Sequence, residues 1–442
     1  MSAVEESLRS KPDPTPTGKT AGASTPDFSA TSGSHEAADT AAHTRDHPSA
    51  EGRMIRKLLR MFGDPPFEFV LWNGERIASP RASPIARIHV LDRGVLFGLL
   101  RDPQVRFGDL FSDGRIQING DLVNFLEAVY HASSGSDGQR SVLRRIAGLL
   151  HRPRGNTLAG SRENIHHHYD IGNEFYRLWL GSTMAYTCAY YPTATATLDE
   201  AQIAKMDHVC RKLRLRPGES VVEAGFGWGH LALHMARHYG VKVRAFNISR
   251  EQVRYARERA VAEGLGSQIE YVEDDYRNIS GRYDAFVSVG MLEHVGVEHY
   301  PELGGVARRA LGSNGRGLIH SIGRNRPAPL QPWIERRIFP GAYPPALSEM
   351  SQIFEPWDLS ILDVENLRLH YAQTLRHWLE LYERNSERVR SMFDERFVRM
   401  WRLYLAGSIA GFTTGTLQLF QVVFAPHDNN DIPLTRAYMY PS

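Results

Sequence analysis

The sequence predicts an α/β fold, an open and mostly parallel sheet with helices on both faces, on three observations. A short apolar run, Ser220-Val221-Val222-Glu223-Ala224, ends in the turn Gly225-Phe226-Gly227-Trp228-Gly229 and passes at His230 into a helix-like segment. Further strand-like runs follow at Val241 to Phe246, Ile269 to Val272 and Tyr283 to Val289. Each run closes on polar residues, and in an open parallel sheet the carboxyl edge is where ligands bind.

Taken in order, the first turn has the form of a nucleotide-type cofactor turn. Its glycines let a ligand approach the backbone, and the following helix presents unpaired N–H groups at its start. Against the dinucleotide fingerprint Gly-x-Gly-x-x-Gly the third glycine position holds His230, which turns the reading from NAD to S-adenosylmethionine. An ordinary tight strand-to-helix connection stays open as the alternative. The second strand leads through Asn247-Ile248-Ser249 into a helix opening at Arg250-Glu251-Gln252, with Ser249 as its N-cap. The third runs into Glu273-Asp274-Asp275-Tyr276 and the fourth into Gly290-Met291-Leu292-Glu293-His294.

At 442 residues, 42% of them hydrophobic, the chain can form two domains and bury a large core. A net charge of +2 argues for no nucleic-acid partner. Cys188 and Cys210 offer at most one disulfide, so a reducing compartment is expected. No run approaches the roughly eighteen apolar residues of a membrane span, and the N-terminus lacks a signal-peptide core. A cytoplasmic protein is expected.

Residues 1–50, rich in Ser, Thr, Ala, Pro, Gly and His, cannot repay their ordering entropy and are expected to form a disordered tail. A small mixed domain is expected over 51–155 and a catalytic domain over 156–442. From Arg53, apolar Met54, Ile55, Leu58, Leu59, Met61 and Phe62 interleave with Arg53, Arg56, Lys57 and Arg60 at helical spacing. Such a helix either lies on an anionic membrane surface or packs on its own domain with a solvated basic face. Phe67 to Trp72 reads as a strand before a turn at Asn73-Gly74. Arg140, Arg144, Arg145, Arg152 and Arg154 suit phosphate contact but read more simply as a solvated face.

From residue 166 the motifs become specific. His166-His167-His168-Tyr169-Asp170-Ile171-Gly172-Asn173-Glu174-Phe175-Tyr176 and Met184-Ala185-Tyr186-Thr187-Cys188-Ala189-Tyr190-Tyr191 resemble the opening of the catalytic region of the cyclopropane-fatty-acyl-phospholipid synthase family. The likeness continues through Gly290 to Gly296, His320-Ser321-Ile322-Gly323, Arg337 to Gly341, His370 to Leu375 and Trp401 to Gly407, covering about residues 156 to 430. It extends more loosely to Phe107 to Leu110 and Gly120 to Leu122.

The resemblance implies a class I methyltransferase, Rossmann-like fold. It also implies transfer of a methylene carbon from S-adenosylmethionine to the cis double bond of an unsaturated phospholipid acyl chain, closed into a cyclopropane ring. The cofactor positions it implies are Tyr186, Thr187, Glu223, Gly225, Gly227, Trp228, Gly229, Asn247, Ile248, Gln252, Asp275 and Tyr276. A bicarbonate ion would be held at Cys188, Glu293, His320, Ile322 and Tyr371, by side chains of His320 and Tyr371 and backbone N–H groups of Cys188 and Ile322, with Glu293 accepting a proton. Such chemistry needs an alkene held at attack distance, a dry site for the carbocation, and a base for the proton lost on ring closure. Aromatic faces can stabilise positive charge, and Tyr186, Trp228, Phe339 and Tyr343 are candidates, although aromatics are more often core. No metal is implied. The implied setting is peripheral, on the inner face of an anionic membrane, with a homodimer expected by analogy.

Several positions depart from the family pattern. Glu223 stands for Asp, Phe226 for a small Cys, Asn247 for Thr, and Ser408 for a cysteine often counted as active. Ser is a weak nucleophile without an adjacent base, so Ser408 is not counted as catalytic. The alternatives are a methyltransferase giving methyl- or methylene-branched lipid without ring closure, a small-molecule N- or O-methyltransferase, and a non-catalytic lipid-binding protein. The complete set of bicarbonate positions favours ring closure.

Overall fold

The computed structural model describes residues 49–80, 83–134 and 171–440. All but the end of the expected tail, the run Arg140 to Arg154, and His166 to Asp170 lie outside the described residues.

Helix α1 (Ala50–Met61) is capped by Ser49, whose hydroxyl accepts from the Gly52 N–H. Its Ile55 and Leu59 are buried while Arg56, Lys57 and Arg60 are exposed. The middle of the apolar stripe packs on its own domain, while Met61 and Phe62 at its end stay 53% and 38% exposed. The reading in which this helix lays the whole stripe on a membrane is therefore corrected: Ile55 and Leu59 are committed to the domain, which leaves the cationic face and the exposed end at Met61 and Phe62.

The chain then builds β1 (Phe67–Leu71), β2 (Arg76–Ala78), β3 (Ala86–Val90), α2 (Arg93–Arg101), α3 (Pro103–Ser112), β4 (Ile116–Asn119) and α4 (Leu122–Ser134). The strands form one sheet in the order β2-β1-β3-β4. β1 and β2 are antiparallel across the Asn73-Gly74 turn, β1 and β3 parallel.

The larger part runs α5 (Asn173–Arg177), α6 (Leu198–Lys212), β5 (Ser220–Ala224), α7 (His230–Tyr239), β6 (Lys242–Asn247), α8 (Arg250–Ala262), β7 (Ile269–Glu273), β8 (Tyr283–Val289), α9 (Tyr300–Ala310) and β9 (Leu311–Gly323). It continues through α10 (Pro332–Arg337), α11 (Leu347–Phe354), β10 (Leu359–Asn366), α12 (Arg368–Arg384), α13 (Ser386–Met392), α14 (Glu395–Thr413) and β11 (Gln418–Pro426). Its seven strands lie in the order β10-β11-β9-β8-β5-β6-β7. They are parallel from β7 to β9, with β11 antiparallel to both β9 and β10. This is the class I methyltransferase arrangement. The period-2 rule sorts β5 between two cores: Val221 packs with α6, α7 and α8, and Val222 and Ala224 with α9 and α11. The chain moves outward from β5 to β7 and returns at β8, so a crevice opens at the carboxyl ends of β5 and β8.

A third core joins the small sheet to α5, α12 and α14, from Ile55 and Phe125 to Trp179, Trp378 and Trp401. Arg337 forms a two-pronged pair with Asp109 at 3.0 and 2.9 Å, tying α10 to α3. Among the described residues no helix is long and apolar enough to cross a membrane, and both cysteines are free and buried.

Candidate active site

The crevice holds a cavity lined by Tyr186, Thr187, Glu223, Gly225, Gly227, Trp228, Asn247, Ile248, Gln252, Asp275 and Tyr276. These are the expected cofactor positions except Gly229, which does not line it. Gly229 has φ +81°, and a Cβ there would fall 2.5 Å from the Tyr271 hydroxyl, which donates to the Gly229 carbonyl at 2.8 Å. Its part is to let the turn close on β7. Gly227, at φ +56°, has no atom within 4 Å of where a Cβ would stand, so its backbone is open to a ligand.

The strand ends are locked by their own polar side chains. Asn247 donates to Gln252 Oε1 at 2.8 Å and to the Gly227 carbonyl at 3.3 Å. Ser249 sits at the N-cap of α8, but its hydroxyl makes no capping bond, and its own N–H is taken by Asn247 Oδ1 at 3.1 Å. The capping chemistry expected of Ser249 is corrected accordingly. Asp275 accepts from the Arg277 N–H at 3.0 Å and pairs with its guanidinium at 3.3 Å. Trp228 donates to Asn173 Oδ1 at 2.7 Å, joining the turn to α5.

Two residues of α6 that sequence reasoning passed over hold the opposite wall. Gln202 Nε2 donates to the Thr187 carbonyl at 2.9 Å, and Lys205 Nζ donates to Thr187 Oγ1 at 2.8 Å. Both are fully buried. Burial pulls Lys205 down to about 8 and pushes Glu223 up to about 8, the Lys205 charge opposing the rise. Nothing in the local sequence marks a lysine as interior. His230, Asp274, Arg277, Gly290, Met291 and His294 also line the cavity; adjacency to the strand ends was the available signal.

None of the five expected anion positions lines the cavity itself; Cys188 and Glu293 adjoin its lining residues Thr187 and His294 in sequence, and the His320 carbonyl accepts from the N–H of lining residue Gly290 at 2.9 Å. Glu293 is 6% exposed, and its Oε1 accepts from the Ile322 N–H at 2.6 Å. That N–H was expected to face an anion; here it serves the carboxylate. Glu293 Oε2 is buried without a partner, and burial pushes this carboxyl up to about 7. His320 is 1% exposed, with Nδ1 3.0 Å from Gln421 Nε2. The amide nitrogen can only donate, so Nδ1 accepts and the neutral ring keeps its proton on Nε2. Burial keeps the ring neutral, and Nε2 is a second buried atom without a partner. Tyr371 is buried at the start of α12, its ring 4.7 Å from that of Phe412. Cys188 is fully buried and its thiol pushed up by burial; it behaves as a small apolar group whose neighbour Ala189 is fixed by a 3.0 Å bond to Thr374.

Of the four aromatic candidates, Tyr186 and Trp228 line the cavity. Phe339 and Tyr343 do not, and Tyr343 donates to Glu349 at 2.8 Å. Phe226 lines the cavity and packs its ring 4.7 Å from Tyr271, so its bulk is taken up by the core beneath β5. Ser408 is half-buried on α14 and is not among the lining residues.

A family model described as mycolic acid cyclopropane synthetase matches residues 157–422. Among curated relatives, the chain is 35% identical over 389 residues to a probable fatty acid methyltransferase of Pseudomonas putida, covering 85% of this chain and 96% of that protein. It is 37% identical over 270 residues to the cyclopropane-fatty-acyl-phospholipid synthase of Escherichia coli strain K12, covering 61% of this chain and 69% of that protein. Among solved structures it is similar to the mycolic acid cyclopropane synthase CmaA1 complexed with SAH and CTAB. That likeness has a TM-score of 0.57 at 27% identity and covers 60% of this chain and 97% of that one.

Proposed function

This chain belongs to the mycolic acid cyclopropane synthetase family of S-adenosylmethionine-dependent methyltransferases, and from that premise we propose that it builds a cyclopropane ring on the cis double bond of an unsaturated phospholipid acyl chain. The observation that carries this reading is the pair of buried atoms without partners, Glu293 Oε2 and His320 Nε2. A buried acceptor and a buried donor left unmade cost stability, and methyl transfer to an oxygen or nitrogen needs neither, since it leaves no carbocation to deprotonate.

S-adenosylmethionine supplies the methyl group, and the lining residues from Tyr186 to Tyr276 fit it through their open glycine backbone and polar strand ends. Lys205 and Gln202 fix Thr187 and thereby one wall of the cofactor cavity. The aromatic residues Trp228, buried, and Tyr186, half-buried, keep water from the carbocation and offer it a π-face. Ring closure requires loss of a proton, and Glu293 Oε2, on a carboxyl held near 7, is the atom that takes it up. Bicarbonate would supply a small base, and the donor at His320 Nε2 with the acceptor at Glu293 Oε2 fits such an ion, Tyr371 being its further ligand by resemblance.

Membrane access is assigned to α2 together with the cationic face of α1. Phe97 and Leu100 are 71% and 54% exposed on one face of α2, between exposed Arg93 and Arg101. Apolar side chains flanked by cations suit an anionic bilayer surface.

The second reading, methyl- or methylene-branched product without a ring, is favoured by the likeness to the Pseudomonas putida methyltransferase along 85% of the chain. The deciding experiment incubates purified protein with S-adenosylmethionine and vesicles of unsaturated phospholipid, then compares the acyl chains, before and after hydrogenation, with standards by mass spectrometry. A ring supports the first reading and a branched chain the second. Absence of any mass gain overturns both.

A further inference from the structure

The cavity has two polar regions of different character. Around Asn247, Gln252 and Asp275 the side chains already bond to one another or to Arg277. Around Glu223 and His230 they do not. Glu223 is 2% exposed with Oε2 buried and unpartnered, and His230 is 9% exposed with Nδ1 buried and unpartnered. Both line the cavity, one at the end of β5 and the other as the first residue of α7. Two unpartnered interior polar atoms, on residues of adjoining elements that line one cavity, are a place where a ligand can complete the hydrogen bonding.

We propose that His230 is a further cofactor-binding residue of this chain, its imidazole bonding the amino-acid end of S-adenosylmethionine beside Glu223. The proposal rests on the reading of S-adenosylmethionine as the cofactor. Of the two ends of that molecule, the nucleoside is uncharged and the amino acid carries an ammonium and a carboxylate. The Glu223 and His230 region is built for the charged end. Glu223 offers an acceptor to the ammonium, the first N–H groups of α7, which no side chain caps, suit a carboxylate, and buried Lys205, held by Thr187, lies within electrostatic reach of both Glu223 and His230. Burial, with the charges of Lys205 and Arg259, keeps the His230 ring neutral. A neutral ring presents one donor and one acceptor, matching an amino acid that has both an ammonium and a carboxylate. A glycine at position 230, as in the dinucleotide pattern, would provide neither.

The test is calorimetric binding, with no turnover involved. Two ligands are compared: S-adenosylhomocysteine, and 5′-methylthioadenosine, which keeps the nucleoside and thioether but lacks the amino-acid end. Loss of one buried hydrogen bond predicts that His230→Leu weakens S-adenosylhomocysteine by about tenfold and leaves methylthioadenosine unchanged. His230→Gln, which keeps a donor and an acceptor, recovers most of the loss. Unchanged binding of S-adenosylhomocysteine to His230→Leu overturns the proposal. So does an equal loss for both ligands, which would make His230 a packing residue of the turn. Failure of the unaltered protein to bind S-adenosylhomocysteine would instead sink the cofactor reading, and this inference with it.

Discussion

Replacing Glu293 by Gln separates two consequences of burying this carboxyl. Gln keeps an oxygen to accept from the Ile322 N–H, now at 2.6 Å, and removes the ionisable proton site. Burial raises the group from 4.5 to about 7, so forcing it to ionise in the folded state costs roughly 3 kcal/mol above that pH. The sign follows from linkage. Between pH 4.5 and about 7 the folded protein holds more protons at this site than the unfolded chain, so stability falls as pH rises through that window and is level above it. Glu293→Gln is therefore expected to match the native enzyme in melting temperature at pH 5 and to equal or exceed it at pH 8. Turnover is expected to fall by about 10² to 10⁴, the range a positioned general base contributes. The acid limb of the native pH–rate profile, near 7, should vanish with it. Scanning fluorimetry at both pH values and mass spectrometry of acyl chains read the two effects. Turnover within a factor of about two of native, with the acid limb intact, would remove Glu293 from the mechanism.

Tyr371→Phe deletes the hydroxyl proposed to hold the anion with Glu293 and His320 and should lower turnover while leaving S-adenosylhomocysteine affinity and melting temperature unchanged; a parallel loss of affinity would refute its place at the reacting end. Phe97→Ser with Leu100→Ser should weaken binding to anionic vesicles without lowering stability, since both side chains are exposed. Changing Arg56, Lys57 and Arg60 to Gln should do so mainly at low salt. Equal vesicle binding by both variants in a flotation assay would dismiss α2 and α1 as the docking face. Gly229→Ala, at φ +81° and 2.5 Å from the Tyr271 hydroxyl, should cost about 1 to 3 kcal/mol in denaturant unfolding, whereas a neutral result would mean that the turn relaxes freely.

The strands β5 to β8, the glycine turn and the polar residues at the carboxyl edge were legible because they are local patterns. A period of two, a turn that needs φ above zero and a strand end that collects Asn, Asp and Glu are all written within a few consecutive residues. The positions carried over by resemblance could likewise be named one by one, and eleven of the twelve cofactor positions line a single cavity. Contacts between distant parts of the chain were not legible. Whether the apolar stripe of α1 faced a membrane or its own domain depended on what the small sheet offered it. Whether Lys205 was solvated depended on α6 packing against Thr187, 18 residues away in sequence. Whether the Ile322 N–H was free depended on Glu293, on a different element.

The sequence by itself determined the α/β class, the glycine turn and the residue types available for the chemistry, because backbone period and side-chain identity are properties of short segments. Only the tertiary structure decided which polar atoms stand buried without partners. That property belongs to a space enclosed by several elements at once, and at Glu223, His230, Glu293 and His320 the low-dielectric interior makes an unmet hydrogen bond costly.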